Sequence, residues 1–123
     1  MKSWLAVALG ASIGAWVRWG LSVSLNGIGT IPMGTFLANA MGGLLMGVAL
    51  GVLQSVPSLS PEWRLLITTG FLGGLTTFST FSAEAFALLQ KQDYGWAGLY
   101  IASHVVVSIA LTVAGYWCVM RLQ

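Results

Sequence analysis

Residues 70–81 read GFLGGLTTFSTF and lie in the middle of a long apolar stretch. Two adjacent glycines, Gly73 and Gly74, lower the helix propensity of this run. Four hydroxyl side chains follow them: Thr76, Thr77, Ser79 and Thr80. Such hydroxyls can bond to the backbone in place of the regular helical ladder. Non-helical backbone at membrane depth is tolerated only where protein buries it or where it lines a wet cavity. The run therefore predicts a helix broken near its middle and is the first candidate for a site.

The composition indicates an integral membrane protein. Hydrophobic residues make up 57% of the 123 residues and charged residues only 7%, whereas a soluble domain carries about 25% charged residues. The net charge of +2 is too small to indicate a nucleic acid partner. The single cysteine, Cys118, excludes an intramolecular disulfide, and we expect it to act as a small apolar residue.

Four apolar stretches are long enough to cross a bilayer, which takes about 20 residues. They run from about residue 3 to 25, 33 to 53, 62 to 89 and 95 to 119, and short turn-rich loops join them. The first stretch is longer than the apolar core of a signal peptide, so we expect it to remain as an uncleaved span. The sequence thus predicts one all-α, four-helix transmembrane domain over residues 1–123.

Basic residues give only a weak preference for one orientation in the membrane. Lys2, Arg64 and Arg121 flank one face, and Lys91 flanks the other, where Arg18 joins it if its side chain extends that way. Such a chain could insert both ways up, and two copies could then pair antiparallel. Four short helices cannot both pack together and enclose an aqueous path, so transport would require an oligomer.

Glycine spacing predicts close contact between helices. Gly10 and Gly14 in the first span, and Gly43, Gly47 and Gly51 in the second, are four residues apart. Small residues at this spacing let helix backbones approach each other in lipid. We therefore assign these glycines to packing and not to chemistry.

Polar side chains at membrane depth are costly, so each one needs an explanation. In the fourth span, four of them recur every four residues and share one face: Tyr100, His104, Ser108 and Thr112. They indicate either hydrogen bonds between helices or a hydrophilic track beside a conduction path. Asn39 in the second span must likewise satisfy its amide, either within the protein or as a donor to an anion. The sequence offers His104 no partner set for a transition metal, and we expect no such site.

Phe78 and Phe81 are three residues apart and so face the same way. Most phenylalanines in membranes contact lipid, but these two border the hydroxyl-rich run, and the positive edge of an aromatic ring can line an anion site. Arg18 and Glu84 are expected near the same side of the membrane, where they either pair or reach an aqueous vestibule. The chain lacks a nucleophile–base set and a phosphate-binding loop, so we do not expect an enzyme.

The chain resembles the CrcB/Fluc family of small bacterial fluoride channels over nearly its whole length. Four features carry the resemblance: GASIGAWVR at 10–18, GTFLAN at 34–39, residues 70–81 with Glu84, and Tyr100 with Ser108. The resemblance implies an antiparallel, dual-topology homodimer in the bacterial inner membrane, with two fluoride pathways at the subunit interface. Through these pathways cytoplasmic fluoride would leave the cell passively.

The resemblance also implies roles for individual residues. Phe78 and Phe81 correspond to the pore phenylalanines of the family, and Asn39 corresponds to its pore asparagine. The other pathway positions are Ser79, Thr80, Tyr100 and Ser108. His104 stands where some members have a serine, so the polar track of this chain differs at that point.

A structural Na⁺ at the centre of the dimer is a further implication of the resemblance. Backbone carbonyls of Gly73 and Thr76 from each subunit would bind it. Arg18 corresponds to an arginine of the family's first span, to which the resemblance assigns no definite role. The implied pathway is free of fixed charge, which agrees with the requirement that a conducted ion must also be able to leave.

Two other functions suit a chain of this size. A small proton-coupled multidrug or metabolite exporter would also have four short spans, but such exporters typically use a carboxylate in the first span, where this chain has Arg18. A non-transporting subunit of a larger membrane complex is the other alternative, and it would give no ion flux as a pure protein.

Overall fold

The computed structural model describes residues 2–123. Over this part of the chain the structure is all-helical, and four helices are long and apolar enough to cross a membrane, as predicted. They are α1 (Ser3–Leu25), α2 (Met33–Ser55), α3 (Pro61–Gln90) and α4 (Tyr94–Arg121). The shortest has 23 residues, which exceeds the length of about 20 that a bilayer requires.

Helix α3 departs from regular α-helical geometry near its middle. Leu66–Leu72 form a π-helical segment, and the backbones of Thr76 and Thr77 are extended, with ψ angles of 155° and 116°. Thr77 also caps the helix that resumes at Phe78, because its hydroxyl accepts the backbone N–H of Thr80 at 3.1 Å. The axis bends by only 16°. The structure therefore does not show α3 broken into two differently directed halves, and the irregularity is local to the backbone.

Glycines bring the helices into backbone contact. A Cβ added at Gly47 on α2 would lie 2.0 Å from the carbonyl oxygen of Thr112 on α4. A Cβ at Gly14 on α1 would lie 2.1 Å from the carbonyl oxygen of Phe71 on α3. These close approaches confirm that the glycine spacing serves packing, and they set α2 against α4 and α1 against the first half of α3.

The Gly47→Ala substitution is expected to destabilise the fold by about 1–3 kcal/mol, as overpacking does, because the backbone of α4 must move away from the new methyl group. The control is Gly98→Ala, since a Cβ at Gly98 would meet no atom within 4 Å among the described residues beyond its own helix backbone, and alanine favours a helix. Denaturant unfolding of the purified protein in detergent measures both variants. Equal stability of the two would contradict the packing role of Gly47.

The buried side chains form two clusters. One contains Ala38, Ala49, Leu72 and Leu75, and lies between α2 and the first half of α3. The other lies between the second half of α3 and α4 and contains Phe81, Ala85, Leu88, Ala97 and Tyr100. The extended backbone of α3 falls between these two clusters. The N–H and carbonyl groups of Thr77 in this backbone have no regular helical partners and must be satisfied by side chains.

Candidate functional site

The side chain of Asn39 on α2 supplies hydrogen bonds to the extended backbone of α3. The N–H of Thr77 donates to Asn39 Oδ1 at 2.8 Å, and Asn39 Nδ2 donates to the carbonyl oxygen of Thr77 at 3.1 Å. Because a backbone N–H only donates and a backbone carbonyl only accepts, the two contacts fix the orientation of the amide. The buried polar groups of Thr77 are thereby satisfied by one side chain.

His104 on α4 lies against the same amide. Its Nδ1 is 3.1 Å from Asn39 Nδ2, and the residue is only 5% exposed. Three aromatic rings surround the imidazole, with centroids 5.3 Å away for Phe36, 4.7 Å for Phe81 and 4.4 Å for Tyr100. The second ring nitrogen, Nε2, is buried and has no hydrogen-bond partner among the described residues. The polar face that the sequence predicted on α4 therefore meets α2 and α3 at this histidine.

The two phenylalanines of α3 lie side by side, with ring centroids 5.5 Å apart, as their spacing predicted. Their exposure differs sharply. Phe81 is 8% exposed and stacks on Tyr100, whereas Phe78 is 79% exposed. Phe81 therefore connects the exposed Phe78 to the buried rings of Tyr100 and His104.

A groove of about 440 Å³ runs between α2, α3 and α4 and brings most of the predicted residues together. Its polar lining comes from Asn39, Thr76, Thr77, His104, Ser108 and Thr112. Its apolar lining comes from Gly42, Gly43, Met46, Phe78, Phe81, Val105 and Ile109. None of these side chains carries a fixed charge. The groove thus offers neutral donors and aromatic edges, which are suited to a small anion.

Three predicted pathway residues lie outside this lining. The hydroxyl of Thr77 donates to Thr80 Oγ1 at 3.0 Å, and Ser79 Oγ lies 3.4 Å from the same hydroxyl. Tyr100 is fully buried behind Phe81 and His104. In the structure of the single chain, Ser79 and Thr80 support the restart of the helix, and Tyr100 supports the rings that face the groove.

Glu84 is held by neutral donors at one end of the buried cluster. The hydroxyl of Tyr100 donates to Glu84 Oε2, and the hydroxyl of Thr35 donates to Oε1 at 2.8 Å. The amide of Asn26 lies 3.4 Å from the same oxygen. Glu84 is partly buried, and a carboxylate removed from water without such donors is destabilising. Glu84 therefore ties together the loop after α1, the start of α2, and α4.

Asn26 is the residue of this network that our sequence analysis missed. Its Oδ1 accepts the N–H groups of Gly34 and Thr35 at 2.7 and 3.2 Å, so it satisfies the first turn of α2 from the preceding loop. An asparagine directly before Gly27 in a turn-rich loop is a common sign of such local capping. The sequence therefore contained the signal for a capping asparagine, but it did not indicate that the residue would cap the first turn of α2.

Arg18 and Glu84 do not pair with each other. Arg18 Nε donates to the carbonyl oxygen of Gly74 at 3.0 Å, while Glu84 has the neutral partners described above. Of the two alternatives that the sequence left open for these residues, the ion pair is therefore wrong. Arg18 instead satisfies a carbonyl just before the extended part of α3.

The carbonyls of Gly73 and Thr76 lose the donors that a regular helix would give them. Those donors are the N–H groups four residues later, at Thr77 and Thr80. The first donates to Asn39 Oδ1 at 2.8 Å and the second to Thr77 Oγ1 at 3.1 Å. Two neutral oxygens are thereby freed, and carbonyls of unwound helices are the ligands that Na⁺ takes within membranes. The residues present therefore suit the Na⁺ that the resemblance implies.

Comparison with known proteins gives a consistent result. The profile of the family described as "CrcB-like protein, Camphor Resistance (CrcB)" matches residues 5–116. A "Fluoride-specific ion channel FluC" of Pseudomonas syringae pv. maculicola is 58% identical over 116 residues, which cover 94% of this chain and 91% of the relative. The protein of the same name from Cupriavidus pinatubonensis is 54% identical, with 92% and 90% covered. A third, from Aromatoleum aromaticum, is 53% identical, with 94% and 89% covered.

Proposed function

The chain belongs to the CrcB-like family, and from this membership we propose that it is a fluoride-specific ion channel. It is a multi-pass membrane protein and a transporter, not an enzyme. We place it in the bacterial inner membrane, where it lets cytoplasmic fluoride leave passively and so lowers fluoride toxicity. The groove of neutral donors and aromatic edges between α2, α3 and α4 supports the proposal.

The groove suits the physical chemistry of fluoride. A small anion loses strong hydration on entering a medium of low polarity, and hydrogen-bond donors must replace that water. The lining supplies hydroxyls, an imidazole and the edges of Phe78 and Phe81. A fixed positive charge in the lining would bind the ion too tightly, whereas conduction requires sites that the ion can also leave.

The incomplete wall of the groove supports a homodimer. Helices α2, α3 and α4 form only part of a wall, and Phe78 on that wall is 79% exposed. A second copy packed antiparallel would cover the groove, and the symmetry of such a pair creates two equivalent pathways. The weak charge bias of the chain supports insertion in both orientations.

We further propose that Na⁺ occupies the centre of the dimer. The carbonyl oxygens of Gly73 and Thr76 from both subunits would hold it. A bound cation would supply positive charge opposite the carbonyl dipoles at this point. The residues of this chain contribute by keeping those oxygens free: Asn39 and Thr77 take the two N–H groups that would otherwise bond to them.

Removal of Na⁺ is expected to reduce fluoride flux and to weaken the dimer, because four carbonyl oxygens would then face one another without a cation. Proteoliposomes prepared with a bulky organic cation in place of Na⁺ measure the flux. Size-exclusion chromatography in detergent under the same conditions measures the dimer. If both are indifferent to Na⁺, this site does not bind it.

Efflux of anions from liposomes that contain only the purified protein tests the function. We expect fluoride to leave rapidly while chloride is retained, without any imposed proton gradient. An exporter would require a proton gradient, and a helper subunit would give no flux of either anion. Either of those results would overturn the proposed channel.

A further inference from the structure

The hydrogen bonds around Asn39 determine the protonation state of His104. Backbone atoms of Thr77 fix the amide so that Nδ2 is the atom that faces His104 Nδ1, at 3.1 Å. An amide nitrogen only donates, so Nδ1 must be the acceptor and carries no proton. The imidazole is therefore neutral, with its single proton on Nε2.

The same contacts leave Asn39 without a free donor. One hydrogen of its Nδ2 goes to the carbonyl oxygen of Thr77 and the other to His104 Nδ1, while Oδ1 accepts from the N–H of Thr77. In contrast, Nε2–H of His104 has no acceptor among residues 2–123, although the atom is buried. An unpaired donor in a buried position is costly, and proteins rarely keep one without a use.

We propose that Nε2–H of His104, and not the amide of Asn39, is the donor that the groove offers to fluoride at this depth. Asn39 is then a positioning residue that fixes the tautomer of the imidazole. The proposal rests on the proposed function, because it takes fluoride as the ion. Of the two alternatives that the sequence left open for the amide of Asn39, it selects hydrogen bonding within the protein over donation to an anion.

The surroundings of His104 favour an anion as the acceptor. The hydrogen-bond partner of its ring is the amide of Asn39, and the aromatic rings packed on it are those of Phe36, Phe81 and Tyr100, all of them neutral. The ring edges carry partial positive charge and add to the attraction of the N–H for a small anion. His104 itself lines the groove, and the ring of Phe81 lies between it and the exposed Phe78.

Nitrogen NMR of the imidazole tests the proposal directly. His104 is the only histidine of the chain, so protein made with ring-¹⁵N histidine gives one pair of ring resonances in liposomes. At neutral pH we expect a proton on Nε2 and none on Nδ1. Fluoride should shift the Nε2–H signal in a saturable manner, and chloride at the same concentration should not. A proton on Nδ1, or an Nε2–H signal that ignores fluoride because an aromatic face satisfies it, would overturn the proposal.

Two variants separate positioning from a merely structural role. Asn39→Asp cannot donate to Nδ1, so we expect Nδ1 to become protonated in this variant. The control is Ser103→Ala, which removes a hydroxyl that donates to the carbonyl of Tyr100 at 3.0 Å and adjoins His104 in sequence. The tautomer should be unchanged in this control, and an unchanged tautomer in Asn39→Asp would contradict the positioning role.

Flux measured on the same liposomes distinguishes this inference from the proposed function. His104→Gln retains an N–H donor and should conduct fluoride, whereas His104→Phe should lose about tenfold or more, as expected when one hydrogen bond to an ion is removed. If the wild-type protein conducts and His104→Phe conducts equally, the inference fails while the channel function stands. If the wild-type protein does not conduct, the channel function itself fails.

Discussion

The Phe81→Ile variant is expected to stop fluoride efflux while the folded dimer is retained. Isoleucine keeps an apolar side chain in the buried cluster but removes the aromatic edge that carries partial positive charge. Phe81 contacts Phe78, His104 and Tyr100, so its loss also interrupts the row of rings along the groove. Phe78→Ile should have the same effect on flux, and because Phe78 is 79% exposed in the chain, it should cost less stability.

The matched control for both variants is Phe86→Ile. Phe86 lies on the same half of α3 and is 59% exposed, and it is not part of the groove lining. Efflux from liposomes and the elution position of the dimer are measured for all three variants. Full efflux from Phe81→Ile and Phe78→Ile would remove the phenylalanines from the mechanism.

The Asn39→Asp variant is expected to lower fluoride efflux by about 100-fold or more, which corresponds to a barrier raised by roughly 3 kcal/mol. A carboxylate can still accept the N–H of Thr77, but it cannot donate to the carbonyl oxygen of Thr77 or to His104 Nδ1. The carboxylate would also place a negative charge in the groove lining, where it repels the ion.

Gln54→Glu is the control for this exchange of an amide for an acid. Gln54 lies on the same helix, is exposed, and accepts a hydrogen bond from the hydroxyl of Tyr116 at 2.6 Å through an oxygen that glutamate also has. Its efflux should match that of the wild-type protein. Thermal unfolding of both variants separates lost conduction from lost folding, and normal conduction by a folded Asn39→Asp protein would reduce Asn39 to a packing residue.

The parts of the structure that were predictable from sequence are those set by local properties. Four helices follow from apolar length alone, and the glycine contacts follow from spacing along α1 and α2. The proximity of Phe78 and Phe81 follows from their position three residues apart. Each of these depends on a short window of the chain, so no knowledge of the tertiary structure was needed.

The hydrogen-bond partners were not predictable, because they lie on different helices. Nothing in the sequence indicated that the amide of Asn39 would be fully used by Thr77 and His104, or that Glu84 would meet Tyr100 instead of Arg18. The sequence placed Ser79 and Thr80 on the pathway by resemblance, and in the structure of the single chain their hydroxyls turn to Thr77. Several acceptors compete for each hydroxyl, and only the packed fold decides between them.

The contact between Asn39, Thr77 and His104 has a consequence for the order in which the protein is made. The three residues lie on helices that leave the ribosome one after another, and the histidine comes last. Until α4 is inserted, the side of α2 that carries Gly43 and Gly47 has no partner, and the site lacks one of its walls. A chain that ends before α4 therefore lacks one wall of the groove, and we expect such a truncated chain to give no fluoride flux.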